Sequence, residues 1–319
     1  MKVVTKERLK GMVDPVVLRR VYKKVSGLVW PIFRTLILLG LSFVLLYPLL
    51  YMLSTAFRPV SEINDPSVIW IPKSLTLENF TTTIEAMNYF EALKNTMTVG
   101  VVSALFQTIS CAVVGYGFAR YRFREREILF ALVLLTIIVP PQTIIIPSYE
   151  NFRFFKIFGF EFNLLDTVWT FWLPSLLGMG LRSGLYILVY RQFFRGIPKE
   201  IEEAAYIDGC GPLTTFVRVM APNAKHAFVT VFLFSVVWHW NDYYLSAMFF
   251  NNNMPLAVAL TRLRSGLTLM GIGDEFGDPT TVRTYLQAGS LLVIGPMLAL
   301  YLFLQKYFTE SLERTGIVG

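Results

Sequence analysis

Long runs without a charged side chain constrain the fold of this 319-residue chain more than any other feature. A run of about 18 or more apolar residues can cross the roughly 30 Å hydrocarbon core of a bilayer as a helix, because a helix satisfies its own backbone polar groups. Four runs reach this length without interruption: 35–57, 95–119, 128–149 and 284–305. The sequence therefore predicts an all-α integral membrane protein, with a kink in the third run at Pro140, Pro141 and Pro147.

Two further apolar segments are each interrupted by one charge. Segment 167–190 contains Arg182, and segment 227–250 contains Asp242. Counting both gives six predicted spans. A charged side chain in hydrocarbon costs about 2.5–3.5 kcal/mol on insertion scales, so both side chains should face the bundle interior or water. They could pair with each other or line a path through the membrane, and the sequence favours neither.

The distribution of basic residues orients the six predicted spans. The two termini and the loops after spans 2 and 4 contain 20 Lys and Arg with 10 Asp and Glu, whereas the opposite loops contain 8 and 11. Cytoplasmic loops of membrane proteins carry an excess of Lys and Arg, so both termini are predicted to be cytoplasmic. The formal net charge of +7 is therefore read as a topology signal and not as a nucleic-acid-binding patch.

The sequence contains no pattern typical of catalysis, nucleotide binding or metal binding. Its two histidines, His226 and His239, lie far apart, and Cys111 and Cys210 belong to no metal-ligand cluster. The glycine-rich stretch 271–279 is not followed by the Lys-Ser/Thr pair of a phosphate-binding loop. We therefore expect a chain that is not an enzyme and that itself holds no cofactor, metal or nucleic acid.

The most specific local pattern lies between the fourth and fifth predicted spans, in residues 191–227. Prolines can begin a helix and glycines permit sharp turns, and acidic residues favour the positive N-terminal end of a helix. A second helix is predicted to run to about Met220. The residues that start, turn or end these helices are Pro198, Gly209, Gly211, Pro212 and Pro222. The pattern predicts a protruding elbow of two short helices.

The elbow resembles the EAA loop of permease subunits of bacterial ATP-binding cassette (ABC) importers. Segments 191–200 and 240–243 are similar to the carbohydrate-uptake branch, which contains the maltose-type permeases. Val219 stands where the family usually has Ile, and Ala221 where it has Leu. The matching positions of the elbow are Glu203, Ala204, Ala205, Asp208, Gly209, Val219 and Pro222.

The resemblance implies a type I importer permease fold of six transmembrane helices with a cytoplasmic coupling helix. In that family the elbow inserts into a cleft of a separate ATPase subunit, which binds and uses the ATP. Glu203 would then contact a basic group of the ATPase, Ala204 and Ala205 would form the close-contact surface, and Gly209 would form the turn. The implied partners are a homologous second permease, an ATPase dimer and an extracytoplasmic solute-binding protein.

The resemblance to the carbohydrate-uptake branch implies that the substrate is a sugar or oligosaccharide. Residues 238–243 place aromatic faces beside hydrogen-bonding groups, a composition that suits such a ligand. An ABC permease for a non-sugar solute is an alternative. A transporter driven by an ion gradient, with two intramembrane relay charges, is a rival from another class, although it does not explain the glycine elbow. The candidate residues of the translocation path are Arg182, Trp238, His239, Asn241 and Asp242.

The predicted organisation is that of a multi-pass protein of the bacterial cell membrane, in contact with lipid. The predicted regions are a cytoplasmic arm (1–34), a first transmembrane helix (35–57), an extracytoplasmic segment (58–89), a core permease domain with five transmembrane helices (90–308, including the EAA loop 191–225) and a cytoplasmic tail (309–319).

Overall fold

A computed structural model describes residues 15–63, 65–68, 70–273 and 282–316. The predicted arm as far as residue 14, part of the stretch 271–279 and the last three residues of the tail lie outside this description. The chain divides into two compact units, 1–54 and 55–319. The helices are α1 Pro15–Ala56, α2 Glu78–Ala86, α3 Tyr89–Arg120, α4 Arg126–Ile138, α5 Ile145–Arg153, α6 Trp169–Leu176, α7 Ser183–Gly196, α8 Lys199–Ile207, α9 Pro212–Thr215, α10 Ala221–Asn223, α11 Lys225–Trp240, α12 Tyr244–Phe249, α13 Leu256–Thr261, α14 Leu263–Leu269 and α15 Arg283–Gly316.

Three of these helices are long and apolar enough to cross a membrane over the stretches Val29–Ala56, Tyr89–Arg120 and Arg283–Phe303. They belong to α1, α3 and α15 and contain most of the predicted spans 35–57, 95–119 and 284–305. Only 6% of an apolar 18-residue window of the α1 stretch is buried, and most large apolar side chains of the stretch are exposed. Such a surface is the one that hydrocarbon would cover.

The third predicted span is sharply bent. Helix α4 ends at Ile138, and a 3₁₀ turn, Pro141–Ile144, leads into α5; α4 and the segment Pro141–Arg153 are inclined by 98°. Pro140 and Pro141 carry no backbone N–H and clash with a preceding helical turn, so the helix cannot continue through them. The kink predicted from the prolines is confirmed.

The fourth and fifth predicted spans are also interrupted. Between α6 and α7, Gly178 and Arg182 adopt positive φ of +70° and +63°, which is incompatible with a continuous right-handed helix. Helix α11 ends at Trp240 and is followed, after a short break, by α12. Within the described residues, counting each bent helix pair as one span gives at most five spans, so the predicted six are not confirmed.

The core of the second unit is organised around α3, which packs against α6, α7 and α11. Gly115 allows the closest approach, because a Cβ built there would lie 2.5 Å from Cβ of Tyr190 and 3.1 Å from the backbone nitrogen of Arg191. Tyr190, Phe194 and Met220 are fully buried in the cluster beside this contact. Helices α3 and α7 are therefore locked together at the end that leads into α8.

The connection between α5 and α6 contains a small antiparallel hairpin of β1 Phe155–Ile157 and β2 Phe160–Phe162. After the hairpin, Asp166 has a φ of +61° and its carboxylate accepts backbone N–H groups from three consecutive asparagines. The nitrogens of Asn251, Asn252 and Asn253 lie 3.0, 3.1 and 3.0 Å from Oδ1 of Asp166. This Asp166 clamp joins the connection before α6 to the one after α12.

Candidate functional site

The predicted elbow begins with helix α8. Pro198 lies immediately before it with φ −54° and ψ 139°, so the helix starts where a proline costs no hydrogen bond. Glu200 and Glu202 occupy the first turn, where carboxylates are stabilised by the helix dipole. The predicted first helix of the elbow is therefore present.

The turn of the elbow is a Schellman motif centred on Gly209. Gly209 has a φ of +80°, its nitrogen donates to the carbonyl of Tyr206 at 3.0 Å, and the nitrogen of Cys210 donates to the carbonyl of Ala205 at 3.0 Å. These paired bonds satisfy carbonyls at the helix end and require a left-handed residue, which glycine adopts without a Cβ penalty. Gly209 thus forms the turn, as the sequence pattern predicts.

The second arm of the elbow is longer and less regular than predicted. Helix α9 passes into a π-helical turn, Phe216–Met220, and then into α10, which ends at Asn223. The expected end near Met220 is wrong by three residues, because Pro222 lies near the start of α10, where its missing N–H is tolerated. Val219 is half-buried, and Pro222 is exposed.

Two adjacent glutamates on α8 face opposite environments. Glu203 is exposed, whereas Glu202 is buried. The hydroxyl of Tyr116 donates to Oε1 of Glu202 at 2.5 Å, and Nε of Arg120 lies 3.4 Å from Oε2. Nη2 of Arg120 also donates to the carbonyl of Ile197 at 2.6 Å. A buried carboxylate needs such partners, and these bonds fasten α8 to the end of α3.

The exposed surface of the elbow differs from the predicted one in one alanine. Ala204 is exposed, but Ala205 is only 5% exposed because it packs inward on the same side as Glu202. Ala205 therefore packs inside this chain, and its contact with a partner stays a prediction. Asp208 and Gly209 are exposed, and a Cβ at Gly209 would meet no atom within 4 Å.

Large apolar side chains of the elbow are also exposed. Ile207, Leu213 and Val217 are 86%, 75% and 56% exposed. Three exposed apolar side chains on one elbow, here called the apolar patch, are typical of a surface that another protein covers. The sequence pattern directed attention to the small residues and missed these three, although their apolar character next to Gly209 was a usable signal.

The two charges that were expected in the membrane, Arg182 and Asp242, do not pair with each other. The guanidinium of Arg182 lies 4.3 Å from the ring centroid of Trp238, which is a cation–π geometry. The carboxylate of Asp242 instead accepts the backbone nitrogen of Ser246 at 2.8 Å and its hydroxyl at 3.0 Å, at the start of α12. The ion-pair alternative is therefore wrong, and Asp242 has a helix-capping role.

The other two path candidates have different surroundings. His239 is buried where α11 faces α3, and its Nδ1 lies 2.8 Å from the carbonyl oxygen of Ser235. The hydroxyl of Ser235 in turn donates to Oε1 of Gln107 on α3. Asn241 is exposed, and its side-chain amide donates to the carbonyl of Val237 at 2.9 Å. His239 thus belongs to the internal packing of the unit, and Asn241 remains accessible.

Arg182 also lines a cavity of about 530 Å³ among α4, α5, α6 and α7. Most of its lining is apolar, including Phe171, Pro174 and Met179, and Ser175 and Ser183 add polar groups. His239, Asn241 and Asp242 are not among the lining residues. The structure therefore brings Arg182 and Trp238 into contact, and of the five predicted path residues only Arg182 lines this cavity. Within the described residues, no group of three His, Cys, Asp or Glu is arranged to hold a metal ion.

Residues 111–314 match the model of a protein family described as the binding-protein-dependent transport system inner membrane component. The match covers well over half of the chain. The chain belongs to this family. All seven elbow positions and all five path candidates of this inner membrane component lie within the matched residues.

Curated relatives of the inner membrane component are named as sugar-transport permeases. The arabinooligosaccharides transport system permease protein AraQ of Halalkalibacterium halodurans is 27% identical over 91% of this chain and 98% of that protein. The diacetylchitobiose uptake system permease protein DasC of Streptomyces coelicolor is 26% identical over 93% and 99%. The predicted resemblance to carbohydrate-uptake permeases is confirmed.

Solved structures show the same fold. A chain of a bacterial ABC transporter involved in the import of the acidic polysaccharide alginate superposes with a TM-score of 0.73 at 22% identity, covering 89% of this chain and 98% of that one. A second structure, of an alginate ABC transporter in complex with an alginate pentasaccharide-bound periplasmic protein, gives a TM-score of 0.61 at 14% identity. The inner membrane component therefore has the fold of an ABC importer permease.

Proposed function

We propose that this chain is the permease subunit of an ABC importer that moves a sugar or an oligosaccharide across the bacterial cell membrane. The observation that carries the proposal is the elbow, in which a Schellman turn presents Glu203, Ala204 and an apolar patch on a segment anchored to α3. The relatives named for arabinooligosaccharides and diacetylchitobiose support an oligosaccharide substrate.

In this proposal, energy comes from ATP hydrolysis on a dimeric ATPase subunit that receives the elbow. A homologous second permease completes the path, and an extracytoplasmic binding protein delivers the solute. The chain itself is without catalytic activity and binds no ATP. Both termini and the elbow are cytoplasmic, and α6 with α7 forms the broken fourth span, which brings the number of spans to six.

Arg182 and Trp238 are the proposed path residues that the geometry supports best. They share one stacked contact, and Arg182 lines the cavity among α4 to α7. A charged group and an aromatic face side by side suit a polar, ring-shaped solute. Relay through a pair of opposite charges, which an ion-gradient mechanism would use, is not supported because Asp242 caps α12.

The test is ATP-driven uptake by the assembled importer in proteoliposomes, compared between Gly209→Val and Gly211→Ala. Valine at a φ of +80° is strongly disfavoured, whereas Gly211 has a φ of −73° that alanine accepts. We expect Gly209→Val to abolish uptake while the chain still inserts, and Gly211→Ala to transport normally. Normal uptake by Gly209→Val, or uptake by the chain without the ATPase, would overturn the proposal.

A further inference from the structure

The hairpin between α5 and α6 has two chemically different faces. Its register pairs Phe155 with Phe162, Lys156 with Glu161 and Ile157 with Phe160. Directly paired residues project from the same face of a sheet, and successive residues alternate between faces. One face is therefore made of three phenylalanines and one isoleucine, and the other carries a Lys156–Glu161 ion pair with Nζ and Oε2 3.2 Å apart.

Most of the apolar face is uncovered. Phe155 is half-buried, but Phe160 is 69% exposed, Ile157 and Phe162 are also exposed, and Phe158 at the tip is 93% exposed. An isolated two-stranded hairpin is at best marginally stable in water, because it has no second layer against which to bury its apolar face. This hairpin therefore needs a covering medium on one side and water on the other.

The position of the hairpin limits what that medium can be. Helix α4 has 13 residues and rises about 20 Å, which is less than the roughly 30 Å hydrocarbon core. The 98° bend then directs the chain sideways instead of outward. The hairpin begins within two residues of the end of α5 at Arg153, and the tip at Phe158 is five residues from that end, about 17 Å of chain at most. The hairpin thus stays close to the membrane boundary.

The segments just before and after the hairpin contain residue types that are common at membrane interfaces. The guanidinium of Arg153 lies 5.3 Å from the ring centroid of Phe154, and Trp169 at the start of α6 is 48% exposed. Aromatic rings beside basic groups are typical of the headgroup level of a bilayer, where the ring is partly immersed and the charge meets phosphate.

We propose that residues 154–162 form an amphipathic anchor in the headgroup region of the outer leaflet. The apolar face points towards the acyl chains, and the Lys156–Glu161 pair points towards water. Lipid on one face and water on the other account for the division of the hairpin into an apolar and a charged face. The assignment to the outer leaflet rests on the proposed function, which sets the topology.

The experiment compares spin labels at two adjacent positions on opposite faces, in the assembled importer reconstituted into phosphatidylethanolamine/phosphatidylglycerol vesicles. Phe160→Cys and Glu161→Cys are made in a Cys210→Ser background, in which Cys111 is fully buried. Ile157→Cys and Lys156→Cys repeat the comparison on the other strand. Collision of each label with oxygen, which concentrates in lipid, and with a water-soluble nickel chelate is measured with and without the binding protein.

We expect the labels at 160 and 157 to collide several-fold more with oxygen than with the nickel chelate, relative to the labels at 161 and 156. Equal access of the chelate to both faces would show that the hairpin lies in water. Shielding of the 160 label from both reagents would show that protein covers it, and shielding only with the binding protein present would identify that protein. Each of these three results overturns the anchor. ATP-driven uptake by the same vesicles reports separately on the proposed function.

Discussion

At the scale of single residues, two neighbouring glutamates have different roles. Glu203 is exposed on α8, where we propose that it contacts the ATPase, whereas Glu202 is held by Tyr116 and Arg120. Because consecutive residues of a helix differ by about 100° in direction, one can face solvent while the next faces the core. The same chemical group is therefore available for docking at one position and used for attachment at the other.

Replacing Glu202 with alanine is expected to destabilise the chain. The side chain of Arg120 is only 5% exposed, and removal of the carboxylate leaves its charge buried without compensation, at a cost on the order of 3 kcal/mol. Glu203→Ala is the matched control and should change the free energy of unfolding by less than about 0.5 kcal/mol. Equilibrium unfolding of the purified variants in mixed detergent and SDS measures both changes in the free energy of unfolding. Equal decreases in the two variants would contradict the different roles of Glu202 and Glu203.

At the scale of elements, the Asp166 clamp makes one connection sensitive to acid. Partial burial acts to raise the pKa of Asp166, but the N–H groups donated by Asn253, Asn251 and Asn252 outweigh it and hold the pKa below its usual 3.8. A carboxyl whose pKa is lower in the folded state stabilises that state at a pH above its unfolded value. The contribution of the clamp to the free energy of unfolding is therefore complete at neutral pH. It is lost as the pH falls through the pKa of Asp166 in the folded state.

The stability difference between the native chain and Asp166→Asn should consequently depend on pH. We expect a constant difference above about pH 5, where the native carboxyl is ionised in both folded and unfolded chains, and a shrinking difference below the usual pKa of 3.8. Thermal unfolding in detergent at a series of pH values measures it. A difference that does not change with pH would show that the charge of Asp166 contributes nothing to the clamp.

Elements that depend on local chemistry could be predicted from the sequence. Pro140 and Pro141 predict the bend after α4, and Gly209 predicts the turn of the elbow, because both effects act within a few residues. The hairpin also has a local signal, since Phe and Ile alternate with Lys156 and Glu161 around Gly159, but the all-α prediction does not include it.

Features that depend on distant contacts could not be predicted. The hydropathy pattern predicts one span through Arg182, with a single charge in it. In the structure the left-handed backbone of Arg182 interrupts the helix at this residue. The burial of Ala205 and Glu202 depends on which side of α8 meets α3, some 80 residues earlier in the chain. The sequence pattern alone indicates neither the helix interruption at Arg182 nor the packing of α8 against α3.

At the scale of the whole molecule, the native cysteines report on topology. Cys210 lies on the elbow with partial exposure, and Cys111 is fully buried in α3. A membrane-impermeant maleimide should therefore label the chain in inverted membrane vesicles but not in intact cells, and Cys210→Ser should remove the label. Labelling of intact cells at Cys210 would place the elbow outside the cell and contradict its contact with an ATPase.

The contact at Gly115 has a mechanical consequence for the molecule. Because α3 and α7 are in backbone-level contact there, and Arg120 and Glu202 attach the elbow to the same end of α3, these parts form one continuously packed unit. Helix α3 has 32 residues and is about 48 Å long, so one unbroken helix joins the elbow to the far end of this unit. The helical hydrogen bonding is interrupted instead at the proline break after α4 and at residues 177–182.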